Sequence, residues 1–502
     1  MKSPKRIVIV GGGTAGWIAA NLFASKLDQK TTDITLIESP NVGIIGVGEG
    51  STPTLKRFFD ELGIAERDWM PKCNATYKTN IRFEGWSPEK GPSSYSHPFI
   101  SQVDTFSERA FFVNTRTRRH GLDTHVAPED FLLNGWLAKH QLAPITPPNF
   151  PFRMEYGYHF DSHLLGQFLA EHGVSLGVTH ISDDVVEVSC HDNGEVASVV
   201  TKDNGIVEGD LFVDCTGFHQ VLMGETLGVK FQSFNDNLFN NAAVVIPTPR
   251  GEQLPVETRS VALSNGWCWH IPLVNRTGNG YVYSDDFTTS EKAEMELRQH
   301  LKVADDVEAR HLKMRVGQVE QHWVKNCVAV GLSQGFIEPL EATALHLVQI
   351  GVELFISQWQ SGGYTNQQQV EYNRLIAERF ERVRDYIVAH YKLNTRTDSE
   401  YWRANRENEH LSDSLVNILK VWFARGEVEK EIERQQLESH FGSTSWHCLL
   451  SGYGHYPQMH PNQPRQGDLY KEQKIASFMK GCAMNFSDHE STLANLVVSR
   501  TV

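Results

Sequence analysis

Lys5-Arg6-Ile7-Val8-Ile9-Val10 runs straight into Gly11-Gly12-Gly13-Thr14-Ala15-Gly16, and no other stretch constrains the fold as tightly. Four consecutive apolar, β-branched residues suit a strand buried in a parallel sheet. Gly11, Gly13 and Gly16 stand at the G-x-G-x-x-G spacing, and the run Ile18 to Leu27 reads as a helix. In that spacing the first glycine permits a tight turn, the second lets a pyrophosphate approach the backbone, and the third lets helix and strand pack closely. The helix N-terminus then offers free N–H groups to the phosphate charge. A second strand, Asp33 to Glu38, ends in an acid 22 residues beyond Gly16, where a ribose-binding carboxylate belongs. The glycine spacing alone also fits an ordinary turn, and Glu38 alone a surface acid. Together they predict a dinucleotide-binding βαβ unit.

At 502 residues the chain is long enough for two domains, or for one large domain with an insertion. Its net charge of −14 argues against a nucleic-acid surface. Seven scattered cysteines without a C-x-x-C point to neither a zinc site nor a disulfide scaffold, and no metal is expected. The apolar run after the basic N-terminus is too short for a signal peptide, and no run reaches membrane-spanning length. A cytoplasmic, soluble protein without membrane contact is expected.

Further along, four glycines between Gly43 and Gly50 make a loop that is either a linker or a flap over a cofactor. Thr76 to Glu84 alternates as a strand, with Tyr77, Thr79, Ile81 and Phe83 on one face. By periodicity alone Lys78 belongs to the wet face. Residues 87–151 lose periodicity and read as an insertion. Leu211 to Asp214 is a strand leading into Asp214-Cys215-Thr216-Gly217, a run that resembles the second place where flavoproteins of the hydroxylase type bring backbone to their cofactor. Trp267 and Trp269 share a strand face, which is usually core packing. A helix starting near Ala342 would leave the N–H groups of Thr343 and Ala344 in its first turn, an anion site or an ordinary cap. Beyond Asn366 the chain is mainly helical.

Several of these segments together resemble the flavin-dependent tryptophan halogenase family. The matches are Gly11 to Trp17, Gly46-Val47-Gly48-Glu49, Tyr77-Lys78 with Trp86, His159-Phe160-Asp161, Trp267-Cys268-Trp269-His270-Ile271-Pro272, and Glu338-Pro339-Leu340-Glu341. The W-x-W-x-I-P run is the most specific, because it separates halogenases from ordinary flavin monooxygenases. The resemblance implies an α/β fold: a doubly wound parallel sheet of the flavin-monooxygenase type, binding FAD, with an additional mixed sheet and a mainly helical second module. Residues 1–390 would form the FAD module and 391–502 the helical module over the substrate site.

It also implies a chemistry. Reduced FAD (FADH2) and O₂ give a flavin hydroperoxide, and chloride or bromide attacks it to yield hypohalous acid. An internal tunnel leads this acid to Lys78, which holds it or forms a haloamine. Glu341 would assist Lys78 and take the ring proton, and Thr343 and Ala344 would bind halide. His97, Phe99 and Phe441 would hold the substrate, while Trp267 and Trp269 shield the flavin. FAD contacts carry over to Gly11, Gly13, Thr14, Ala15, Gly16, Glu38, Val47, Gly48, Val185, Gly217, Leu332 and Leu345. One G-x-G-x-x-G implies a separate flavin reductase, and the family implies a homodimer.

The chain departs from the family at Ala342 and Ala344, where serine and glycine are usual, and after Phe441, where a longer clamp for free tryptophan is missing. Indole, or an indole within a larger molecule, is therefore expected in preference to free tryptophan. Two other readings compete: a monooxygenase that hydroxylates an aromatic, and a non-catalytic reduced-flavin binder.

Overall fold

Arg6–Val10 is a strand with four of its five residues buried, inside a six-stranded sheet of the computed structural model, which describes residues 6–43 and 48–498. It pairs in parallel with Leu211–Asp214 on one side and Asp33–Glu38 on the other. Thr179–Ser182 extends the sheet beyond Asp33–Glu38, and Cys327–Ala329 beyond Leu211–Asp214, both in parallel. An antiparallel strand, Trp323–Val324, closes that second edge. This is the doubly wound sheet expected from the sequence. Helix Thr14–Lys26 is buried almost all round, which suits a helix covered on more than one side. It packs on helices Ser162–Ser175 and Ala344–Ser361. These elements belong to one compact unit, built from Met1–Cys73, Phe160–Asn235 and Arg315–Glu381.

Asn74–His159, Asp236–Met314 and Arg382–Val502 make the other unit, so the helical tail shares its unit with a sheet. That sheet is mixed, in the order Arg310–Lys313, Ala242–Val245, Arg276–Tyr283, Gly266–Pro272, Glu257–Leu263, Asn80–Glu84, Ser94–Pro98. Asn80–Glu84 and Glu257–Leu263 run parallel, and the other neighbours in that order are antiparallel. No helix among the described residues is long and apolar enough to cross a membrane.

The expected single strand from Thr76 to Glu84 is in fact two, Thr76–Lys78 and Asn80–Glu84. The chain changes partners at Thr79. Before it, Thr76, Tyr77 and Lys78 pair with His159, Tyr158 and Gly157. At the break, Thr79 donates its N–H to Val256 O (2.8 Å) and accepts from the Phe99 N–H (2.9 Å). The stretch 87–151 holds strand Ser94–Pro98 and helix Glu108–Arg119, order that its weak periodicity did not announce.

Candidate active site

The three glycines of the fingerprint meet three different surroundings. Gly11 has φ +113°, and a Cβ there would lie 2.1 Å from the Cys215 carbonyl oxygen. A Cβ on Gly16 would lie 2.0 Å from Gly11 O, whereas one on Gly13 meets no atom within 4 Å. The first and third glycines are therefore required by the protein's own packing. The second borders open space at the start of helix Thr14–Lys26. A pyrophosphate needs that combination of a pinched turn, free room and helix-end amides. Glu38 arches over Gly12, accepts from Trp17 Nε1 (3.3 Å) and lies 3.1 Å from His180 Nε2. Thr14 Oγ1 donates to Ser162 O (3.4 Å), and a Cβ on Gly331 would come within 2.7 Å of Ala15 Cβ. Gly48 has φ +113°. Val185 and Leu332 are half-buried and Leu345 is buried. Val47 lies outside the described residues.

Asp214 sits at the end of its strand with no solvent exposure, so its carboxylate must find donors within the protein. It accepts from Thr216 N (3.0 Å), Thr216 Oγ1 (2.7 Å), Leu222 N (3.0 Å), Met223 N (2.8 Å) and Ser333 Oγ (2.9 Å). One buried acid thus ties together the turns that carry Gly217 and Leu332. Gly217 has φ +72°, and like Gly13 it would place a Cβ in open space.

Glu341 ends the short turn Pro339–Glu341 and is buried. Ala342 then takes the left-handed φ of +56°, a conformation costing an alanine on the order of 1 kcal/mol. Helix Ala344–Ser361 starts two residues later than expected, with Thr343 as its N-cap. The left-handed residue is Ala342, and Ala344 has no positive φ, so alanine in place of glycine at 344 carries no backbone strain. Thr343 makes no side-chain cap, and its buried Oγ1 has no hydrogen-bond partner among the described residues. The amide of Ala344 opens the helix without an intrahelical acceptor.

Lys78 is fully buried, at 0% exposure, which overturns the wet-face reading from periodicity. Its face of the chain is polar, buried at Lys78 and Asn80 and half-buried at Arg82 and Glu84. Asn80 Nδ2 donates to Glu257 (2.6 Å) and to Ser96 Oγ (3.0 Å), and Arg82 Nε donates to Glu257 (2.7 Å). Lys78 Nζ stands 5.4 Å from the Phe99 ring centroid, within cation–π range. Phe99 is fixed at both ends: its N–H on Thr79 O, and its carbonyl accepting from Asn134 Nδ2 at 2.6 Å.

His159 lies on the strand paired with that of Lys78, and its tautomer follows from its neighbours. The Thr76 hydroxyl donates to Pro272 O (2.8 Å), so at 3.0 Å it accepts from His159 Nδ1. Nε2 is then the acceptor for Thr258 Oγ1 (2.9 Å). Burial first, and the Lys78 charge second, hold this imidazole well below its ordinary pKa and keep it neutral.

His97 Nε2 lies 2.9 Å from Ser445 Oγ, and its ring centroid is 6.3 Å from that of Phe441. Phe441 stacks on Tyr386 with centroids 3.7 Å apart and planes at 3°. The Tyr386 hydroxyl donates to Ser445 O (2.8 Å), so Ser445 and Tyr386 brace both expected substrate-binding side chains. Sequence reasoning missed Tyr386 and Ser445, and nothing in the helical period of Gln369–Lys392 distinguishes Tyr386. Trp267 and Trp269 lie side by side with centroids 6.1 Å apart. Both are buried, and neither indole N–H has a hydrogen-bond partner among the described residues, which is unusual for packing tryptophans. A Cβ on Gly280, the cross-strand partner of Trp269, would sit 2.1 Å from that indole.

The residues singled out from the sequence occur in both units. The glycines, Glu38, Glu341, Thr343 and Ala344 belong to the first, and Lys78, His97, Phe99, Phe441 and both tryptophans to the second.

Known proteins share this fold. The tryptophan halogenase family model matches residues 6–466. The tryptophan 6-halogenase SttH of Streptomyces toxytricini is 37% identical over 444 residues, 84% of each chain. A tryptophan halogenase structure from Shewanella frigidimarina superimposes with TM-score 0.85 at 31% identity, covering 99% of this chain and 98% of that one. BrvH, a flavin-dependent halogenase from Brevundimonas, gives TM-score 0.84 at 31% identity over 99% and 100% of the two chains.

Proposed function

The chain belongs to the tryptophan halogenase family, and from that premise we propose that Lys78 delivers an electrophilic halogen to an indole-type ring. It is a flavin-dependent halogenase, which sets the hydroxylase reading aside. FAD fits the first unit because Gly13 and Gly217 face open space while Gly11 and Gly16 are packed shut. Bound and reduced, the flavin would supply hypohalous acid from O₂ and chloride or bromide.

The chain's own residues do the rest. Glu38 holds the ribose, and Thr14, Ala15, Gly48, Val185, Leu332 and Leu345 line the cofactor. The amides of Thr343 and Ala344 hold halide at a positive helix end. Trp267 and Trp269 present apolar rings that keep the aromatic substrate from the oxidant. The Lys78 ammonium holds the hypohalous acid or exchanges an N–H for an N–halogen bond, and Glu341 accepts the proton that the ring loses. The observation that carries this reading is a fully buried lysine against Phe99, beside a histidine kept neutral.

His97, Phe99 and Phe441 would sandwich the ring. Indole, or an indole within a larger molecule, is the proposed substrate in preference to free tryptophan, since Phe441 leads into helix Ser443–Gly452 without a clamp. A separate reductase would supply reduced flavin, and the working form would be a homodimer. The test is an assay with a flavin reductase, FAD, bromide or chloride, and a panel of indoles read by mass spectrometry. Bromoindole or chloroindole is expected, and none from Lys78→Ala that still binds FAD. Halogenation by Lys78→Ala overturns the assigned role, and strong regioselective turnover of free tryptophan overturns the substrate preference.

A further inference from the structure

Strand alternation puts Cys268 and His270 on the face of Gly266–Pro272 opposite Trp267 and Trp269. His300 reaches them from the last turn of helix Ser290–Leu301. One ligand atom from each residue, a sulfur and two imidazole nitrogens, all lie within 4.8 Å of one another. The Nε2 atoms of His270 and His300 face each other at 3.0 Å.

Asn279 decides which nitrogen of His270 carries its proton. The Asn279 amide Nδ2 donates to Ile246 O (3.1 Å) and Thr248 Oγ1 (3.0 Å), which turns Oδ1 toward His270 Nδ1 at 2.7 Å. Nδ1 is therefore the N–H, and Nε2 presents a lone pair. Metal-ligating histidines have this arrangement, with the outer N–H anchored on oxygen and the inner nitrogen bare.

We propose that Cys268, His270 and His300 bind one Zn²⁺, with a water as fourth ligand. Thiolate and imidazole together suit zinc. Tetrahedral bonds of about 2.0–2.3 Å require N···N of about 3.3 Å and S···N of about 3.6 Å. The imidazoles need part by only a few tenths of an ångström, and the thiol closes in. On binding, the Cys268 S–H bond breaks and its proton leaves to solvent; His300, which donates its Nε2–H to His270 in the empty site, carries that proton on Nδ1 instead; one Zn–S and two Zn–N bonds form, and no electrons are transferred. The resulting charge of +1 would be offset by Glu84 and Glu296, which act on His300 alongside the opposing Arg259. The ion would clamp the strand bearing both tryptophans to its covering helix. The sequence points to no such site because it holds no C-x-x-C; the ligands come as i and i+2 on a strand, plus one residue from a helix.

The experiment strips the full chain with chelator, then titrates it with Zn²⁺ and, as an optical probe, Co²⁺. One Co²⁺ per chain is expected, with a thiolate-to-cobalt charge-transfer band that Zn²⁺ displaces, and Tm should rise with Zn²⁺. Cys268→Ser should abolish the band, and His300→Gln should weaken binding at least about 100-fold, with an unchanged far-ultraviolet circular dichroism spectrum and cooperative thermal unfolding reporting that each variant is folded. Absence of the band in the native chain overturns the site, as does stoichiometric binding unchanged in both variants; the native-chain measurement decides even if a variant fails to fold.

Discussion

The nucleotide cradle and the lysine strand are both built at strand ends, yet they are specified in opposite ways. Around Gly11 to Gly16 the decisive features are backbone angles and missing side chains, set by one βαβ unit and the Cys215 carbonyl beside it. Around Lys78 the decisive features come from distant segments: the rings of Phe99 and His159, with the Gly157 backbone paired to the lysine strand and the Val256 carbonyl holding Thr79. A cradle made of backbone tolerates little local change. A pocket made of side chains is open to change at each wall separately.

The sharpest break in that comparison is chemical. Lys78→Ala should lower halogenation by at least about 10³-fold while FAD affinity stays within about twofold, measured by product mass and flavin titration. Loss of FAD along with activity would mean that the lysine supports the cradle instead.

Next in size is a contrast within the cradle. Gly13→Ala places its Cβ in open space, so the apo protein should keep its Tm while FAD Kd rises at least about tenfold. Gly16→Ala drives a Cβ into Gly11 O and should lower apo Tm as well. Equal Tm losses in both would remove the distinction between ligand-facing and packing glycines.

A smaller effect is expected at the pocket wall. Phe441→Ala removes the ring stacked on Tyr386, a contact of about 0.5–1.5 kcal/mol, so KM for indole should rise about two- to tenfold with kcat little changed. A fall in kcat with constant KM would place Phe441 in the chemistry.

The last contrast separates the units by pH. Burial pushes the Asp104 carboxyl of the second unit up to about 7, despite N–H bonds from Ser101 and Leu133. Between about pH 4 and 7 the native state keeps a proton that the unfolded chain has lost, so this group removes stability as pH rises. Burial holds His322 of the first unit down to about 3. There the unfolded chain takes up the proton first, so stability is lost as pH falls from about 6.5 toward 3. In urea titrations, the stability of the wild type relative to Asp104→Asn should decline from pH 4 to 7. A flat difference would show that Asp104 is not titrating in that window.

Much of this was legible in the sequence, and its limits follow a pattern. Strands Asp33–Glu38 and Leu211–Asp214 and helix Ser290–Leu301 end where their patterns and caps place them, because those signals are local. Thr76 to Glu84 reads as one strand in the sequence because side-chain alternation continues through Thr79, while its hydrogen-bond partners change there. Glu108–Arg119 went unread because its buried face includes Asn114, Thr115 and Arg119, which no apolar period marks.

By itself, the sequence determined the βαβ start, the glycine spacing, the acid at Glu38, and the residue types that carry the family's chemistry. These are short-range properties, fixed by backbone geometry and by the periods of helix and strand. Only the tertiary structure decided that Lys78 is dry, that Asp214 gathers five donors, that Tyr386 backs Phe441, and that His300 meets Cys268 and His270. Each of those depends on which distant segment supplies the neighbour, and burial and hydrogen-bond partnership across such separations leave no period in the chain.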